Sequence, residues 1–293
     1  MSDTIGLQVK TNDDAPLTIE EVEARVEDRR ARHRSYARVR AVIYPIMTVI
    51  GTLLVWEAGA RAFGVPGYLL PAPSKIVVSF AEHAGLLLRH GWVTTIEIVL
   101  GYLLSIVVGV PLALAIFMWP AFSRSVLPLL VSSQAMPKVA VAPLLLVWFG
   151  FGLLPKVLIA FLIAFFPIVI STVVGLASIE PEKIHLARSM GLGATATFFK
   201  IRLPSALPSI FGGLKISITL AVVGAVVGEF VGGDAGLGYL LMVANGNMDT
   251  PLLFAGLIAL TVQGVVLYFL VEWAERLAIP RQTAANAAVL GLA

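Results

Sequence analysis

The chain has 293 residues, of which 58% are hydrophobic and 13% charged, with a net charge of +3 and a mean hydropathy of +0.91. Soluble domains run nearer ~45–50% apolar and ~25% charged; here the apolar residues gather in long runs, so the composition is that of a polytopic membrane protein. With no cysteine, a disulfide, a thiolate metal site and a cysteine nucleophile are excluded, and the small positive balance does not point to nucleic acid.

Residues 1–17 are polar, with Asp, Asn, Thr and Pro16, and read as disordered. Thr18 and Glu21 make a T-x-x-E capping box, and a charged helix follows with Glu21–Arg25 and Asp28–Arg32 at i,i+4 spacing. The arm turns basic from Arg25 to Arg40. Such a bias holds this end in the cytoplasm and lets it touch anionic headgroups; a regulatory or partner-binding arm is the other reading. The first forty residues lack the apolar core of a cleavable signal, so insertion is expected through the first internal span.

A helical span needs about 20 apolar residues. Six stretches qualify, 42–63, 92–118, 127–149, 156–176, 207–231 and 252–277. They divide the chain into an N-terminal arm at 1–40, a membrane domain at 41–280 and a short tail at 281–293, with both termini in the cytoplasm. In the first span Glu57 and Arg61 are i,i+4 partners. In the outer loop 64–91, Pro66, Pro71 and Pro73 make an extended entry, and Ser74 is placed to cap a short interfacial helix through Leu88. Glu97 lies early in the second span.

The third span carries Pro128, Pro137 and Pro143, with Gln134 and Lys138 between them. Proline breaks helical hydrogen bonds, and such breaks persist in membranes where protein or water satisfies the freed groups. A lysine near mid-span costs at least about 2.5 kcal/mol unless it snorkels, pairs or faces a cavity. Gln134 and Lys138 are therefore read as a wall of a translocation pathway; a later span start, with Lys138 snorkelling, is the alternative.

Residues 180–204 interrupt the apolar pattern. They hold Lys183, Arg188, Lys200 and Arg202 and no stretch able to cross a bilayer, so the charge bias places them in the cytoplasm. Two short helices are expected, the first capped by Ser178 and ended at Gly191-Leu192-Gly193, the second running through Thr197 and Phe199 until Pro204 opens the next span. Ile184, Ala187 and Met190 fall at helical spacing, which makes this a charged knob with an apolar face and implies a partner. The fifth span has Gly224, Gly228 and Gly232 at four-residue spacing, a pattern for close helix packing, and the intramembrane acid Glu229. Glu229 is read with Lys138 as facing one central cavity.

No lysine follows a glycine, so the G-x-x-x-x-G-K phosphate loop is absent. His33, His83, His90 and His185 are scattered without carboxylate spacing for a metal, and no G-x-S-x-G elbow occurs. Nothing suggests catalysis by this chain.

The order alanine (Ala187), three residues, glycine (Gly191), nine residues, Ile201-Arg202-Leu203-Pro204 resembles the coupling-loop signature of ABC importer permeases. The usual Glu-Ala-Ala opening of that signature is His185-Leu186-Ala187 here, so only the last alanine matches. The stretches 133–152, 165–169, 203–215 and 226–241 are similar to the nitrate, sulfonate, taurine and pyrimidine-precursor branch of the family, and the likeness runs from about Leu69 to Arg276. The chain as a whole looks nearest to permeases for pyrimidine thiamin precursors or riboflavin-like heterocycles.

The resemblance implies an all-α type I importer permease fold with six membrane helices and cytoplasmic coupling helices. Ala187, Gly191, Ile201, Leu203 and Pro204 would serve ATPase coupling. It further implies a second permease copy as a homodimer, two ABC ATPase subunits that carry the ATP and magnesium, and a periplasmic or lipid-anchored solute-binding protein, all at the inner membrane in contact with its lipid. The alternative within the same importer class is nitrate, a sulfonate or taurine as solute. The rival readings are an ion-coupled secondary transporter using Glu229, which would be expected to show paired broken helices, and a non-transporting scaffold.

Overall fold

The structure is a computed structural model that describes residues 43–279. The basic arm, its capping box and the tail from 281 lie outside the described residues. The chain divides after Phe63 into two units. The first contributes one described helix, α1 (Ile43–Ala62), apolar and long enough to cross a membrane. Within it the hydroxyls of Thr48 and Thr52 donate to carbonyls one turn back, and Arg61 pairs with Glu57.

Among the described residues of the second unit all regular structure is helical. Its elements are α2 (Pro73–Glu82), α3 (Ala84–Met118), α4 (Pro120–Ser133), α5 (Ala142–Phe149) after a 3-10 turn at Lys138–Val141, and α6 (Leu153–Ala177). There follow α7 (Pro181–Ser189), α8 (Ala194–Thr197), a π turn at Phe198–Arg202, α9 (Leu203–Gly232), α10 (Leu237–Gly246) and α11 (Thr250–Ala278). Among the described residues five helices can cross a membrane by length and composition, or six with the bent pair α4–α5 as one span.

α6 is the hub. α3 and α9 both pack on it and touch each other, and both approaches to it are made by small residues. A Cβ on Gly101 or Gly224 would come within 2.5 Å of Ala160, and one on Gly228 within 3.0 Å of the Lys156 backbone. Lipid offers no hydrophobic drive between spans, so backbones that approach this closely supply the van der Waals contact instead. The glycine stripe at 224, 228 and 232 is thus a packing face, with Gly232 against Leu146 of α5. The core continues through Ile98, Tyr102, Ala164, Ile168, Ile218 and Leu267. Gln263 of α11 reaches α3, its amide donating to Thr95 Oγ1 at 2.7 Å.

Several elements differ from expectation. The interfacial helix is opened by Pro73 at its first turn, with Ala72 at the cap position and no side-chain cap bond. It ends at Glu82; α3 then starts at Ala84, so Leu88 belongs to the second span. The third span is two helices bent by 87°. Residues 232–250, expected as an outer loop, contain α10, a ten-residue helix with five buried positions. The second knob helix is not separate from the next span: α8, the π turn and α9 run on as one helix from Ala194 to Gly232. Pro204 can follow within it because the widened turn lies where its ring would otherwise clash, four residues back at Lys200.

Candidate functional site

The knob is built by one helix stop. Gly191 takes φ +82°, its N–H donates to Arg188 O at 2.9 Å, and Leu192 N–H donates to Ala187 O at 3.0 Å. This pair of bonds is the Schellman arrangement, which consumes the carbonyls a helix end leaves free. It turns the chain from α7 into α8 and ties Ala187 to Leu192 across Gly191. Ser178 does not cap α7: Glu180 holds that position, and the Ser178 hydroxyl donates backward to Gly175 O at 3.0 Å. Ala187 is buried at 3% exposure. Ile201, Leu203 and Pro204 are half-buried where the knob joins α9. Leu186, Met190 and Phe199 stand exposed around them, beside Lys183, Arg188 and Lys200. The five residues of the signature therefore shape and seat the knob, and its exposed apolar side chains are Leu186, Met190 and Phe199.

At the opposite end of the bundle lies a buried polar cluster. Lys156 is 2% exposed, Glu97 0% and Glu229 1%. Lys156 Nζ sits 3.0 Å from Glu97 Oε1 and 3.4 Å from Asp234 Oδ1. The Asp234 carboxyl is held below the usual aspartate range, first by its own backbone amide and then by the Lys156 ammonium.

Glu229 acts as a cap for another helix. The N-terminus of α10 has only Gly236 at its cap position and no side chain of its own to accept its free amides. Three side chains from two other helices do so. Gly236 N–H donates to His90 Nδ1 at 3.0 Å, Leu237 N–H to Thr94 Oγ1 at 2.8 Å, and Gly238 N–H to Glu229 Oε2. The Thr94 hydroxyl in turn donates to Glu229 Oε1 at 2.6 Å. A Cβ on Gly236 or Gly238 would run into the Glu229 side chain, so the glycines make room for the carboxylate.

Glu229 and Lys138, expected to face one cavity, stand apart in this structure. Glu229 is closed in by protein at 1% exposure. Lys138 is half-buried, 6.0 Å from the centroid of the Phe166 ring. Phe166 lies ten residues along α6 from Lys156, about 15 Å at helical rise. Gln134, at the C-cap of α4, is exposed beside the break. Gln134 and Lys138 therefore stay together at the bend, and Glu229 belongs to a different site. Lys156, Thr94, His90 and Asp234 were not foreseen. His90, Thr94 and Glu97 stand at i, i+4 and i+7 on α3, a polar stripe on an apolar span that could have flagged them. Among the described residues no cluster of His, Asp and Glu could hold a metal.

Residues 93–283 match the family described as the binding-protein-dependent transport system inner membrane component. The chain belongs to this family. The permease is 36% identical to the formylaminopyrimidine transport permease protein ThiX of Halalkalibacterium halodurans, over 84% of this chain and 97% of that one. It is 40% identical to the riboflavin transport system permease protein RibX of Chloroflexus aurantiacus, over 80% and 88%; permeases named for aliphatic sulfonates and taurine are further relatives. Its fold matches a chain of an inward-facing MetNI methionine ABC transporter with a TM-score of 0.58 at 20% identity, covering 68% of the permease and 99% of that chain. The permease is thus a subunit of an ABC importer in the nitrate, sulfonate, taurine and thiamin-precursor branch, with a type I fold, and is not itself an enzyme. Ion-coupled transport through Glu229 is set aside by this membership and by the carboxylate's role in capping α10.

Proposed function

We propose that the permease forms the translocation pathway for a small polar heterocycle, a pyrimidine thiamin precursor or a related compound such as a flavin. Support comes from the two relatives named for formylaminopyrimidine and riboflavin, which align over nearly their whole length. In this reading the 180–204 knob faces the cytoplasm and docks on an ABC ATPase that carries the ATP and magnesium. Two copies of the permease enclose one path, with both termini cytoplasmic, and a solute-binding protein delivers the solute at the α10 end. Gln134 and Lys138, at the bend of the broken span, line that path.

The observation that carries the coupling role is the exposure of Leu186, Met190 and Phe199 on a knob whose own packing leaves them without cover. An apolar set rimmed by cations fits a groove on a partner protein. Uptake of radiolabelled formylaminopyrimidine and of riboflavin by cells producing the complete importer tests the solute. One of the two is expected to accumulate in an ATP-dependent way; accumulation of taurine or an alkyl sulfonate instead, with neither heterocycle moved, overturns the assignment.

A further inference from the structure

Arg202 stands where the knob meets the membrane helices. It is the last residue of the π turn Phe198–Arg202, which joins α8 to α9 without interruption. Wide turns of this kind are rare and recur at functional positions. The Arg202 guanidinium lies 5.0 Å from the centroid of the Phe117 ring, and its Nη1 donates to Leu176 O at 3.5 Å. Phe117 is the penultimate residue of α3, and Leu176 is the penultimate residue of α6. One side chain on the knob's exit thus holds the ends of both other hub helices.

The two contacts are of different kinds. The guanidinium lies over the ring as a cation on a π face, while one of its N–H groups reaches a carbonyl that the end of α6 leaves free. A planar cation with donors along its rim suits both at once, whereas a lysine ammonium is a point charge without that fixed geometry. Beneath it, Leu176, Ala206 and Ile210 pack with Phe117, Phe198 and Leu203 into one apolar cluster. The cluster seals α3, α6 and α9 against the turn, so the turn and the three helix ends form one joint.

We propose that Arg202 is a positioning residue that carries displacement of the knob into α3 and α6, so that the hub moves as one body when the knob is pushed. The inference rests on the coupling role given above to residues 180–204. It assigns Arg202 a task separate from docking, since its guanidinium points into the bundle and the docking side chains are Leu186, Met190 and Phe199.

The test uses the full permease reconstituted with its ATPase and binding protein. Because the chain has no cysteine, a single Leu154→Cys at the far end of α6, an exposed position, reports movement by its rate of labelling with a water-soluble maleimide. In the otherwise unaltered chain that rate is expected to differ by at least about five-fold between nucleotide-free and ATP-bound states, the low end of ordinary coupling. Arg202→Gln should keep the ATPase bound and hydrolysing while that difference collapses. Phe117→Leu, which removes the stacking face and keeps the bulk, should shrink it in the same direction and decides the matter if Arg202→Gln does not assemble. Arg124→Gln, an exposed cation of α4 outside the knob, should leave it intact. A full-sized difference in Arg202→Gln, or in Phe117→Leu where that variant decides, overturns the transmission role alone. No ATP-dependent difference in the unaltered chain overturns the coupling reading together with it.

Discussion

Lys156 is the most consequential single residue of the far end. Its ammonium is buried between Glu97 of α3 and Asp234 of the α9–α10 connection. Removing one partner of a buried pair strands the other charge, at about 3–5 kcal/mol, while replacing both with neutral groups costs far less. Lys156→Met is therefore expected to lower the thermal unfolding midpoint of the detergent-purified permease sharply, and adding Glu97→Gln should restore much of the loss. If the double variant is no better than the single, Glu97 is not the group left stranded. Asp234 is a contrast. Its carboxyl is 88% exposed, so its attraction to Lys156 is screened and Asp234→Asn should change the midpoint little. Its pKa is depressed, so what it contributes is present at neutral pH and is lost as pH falls through the aspartate range. Glu229→Leu removes both acceptors and leaves the Gly238 N–H and the Thr94 hydroxyl without the carboxylate. A loss of about 1–3 kcal/mol is expected, read as faster amide hydrogen exchange at residues 236–240. The acids were legible in the sequence because charges inside spans stand out. Their partners were not, because Lys156 sits near a span end where snorkelling is the ordinary reading, and no spacing rule ties residue 94 to residue 237.

At the scale of elements, neighbouring glycines make opposite predictions. A Cβ on Gly213 would lie 2.9 Å from Pro167 O and meet Ser171, whereas Gly212 has nothing within 4 Å. Gly213→Ala should pry α9 from α6 and reduce the yield of folded protein. Gly212→Ala should be neutral or gain up to about 1 kcal/mol from helix propensity. Equal effects would mean that α6 and α9 are not packed on that face. Gly191 behaves differently again: nothing crowds it, and only its φ of +82° forbids a side chain. Gly191→Asn, which tolerates that region, should keep transport coupled to ATP hydrolysis, and Gly191→Val should insert normally yet hydrolyse ATP without transport. The glycine stop and the small-residue stripe were readable because each follows from a local rule. α10 was not. At ten residues it is too short to register as a span, and what orders it is a set of acceptors on α3 and α9. The prolines of the third span announced a break but gave no angle, since the 87° bend is set by what α4 and α5 each pack against.

Across the whole molecule the two halves of the polar content do different things. The α3–α6–α9 hub closes around its ion pairs, while the broken span leaves Gln134 and part of Lys138 open. Cysteines placed singly at 134 and 138 should react with small water-soluble thiol reagents, and the same substitution at 229 should stay unreactive in every nucleotide state. Reaction at 229 as fast as at 134 would show the α10 cap to be open in the membrane. The purified permease alone in liposomes, under an ion gradient, is expected to accumulate nothing, because it lacks a phosphate loop and its one candidate coupling acid is engaged in a structural bond. Family, helix count and the position of the knob could be recognised from the order of several motifs along the chain. Which polar residues meet across the bundle could not, because that depends on helix rotation, and helix rotation is set by glycine contacts between segments more than thirty residues apart.

The borrowed cap of α10 also bears on how the protein is made. The amides of Gly236 and Leu237 emerge from the ribosome more than 130 residues after His90 and Thr94, the acceptors they need. Until α3 and α9 lie side by side, these amides have only water to bond, so α10 has no stable place in hydrocarbon. Its docking is therefore a late step of biogenesis that registers correct assembly of the helices before it. A chain with Thr94→Val should complete synthesis and insertion on schedule and then be cleared by membrane proteolysis, with pulse-chase decay that begins only after the α10 segment has left the translocon.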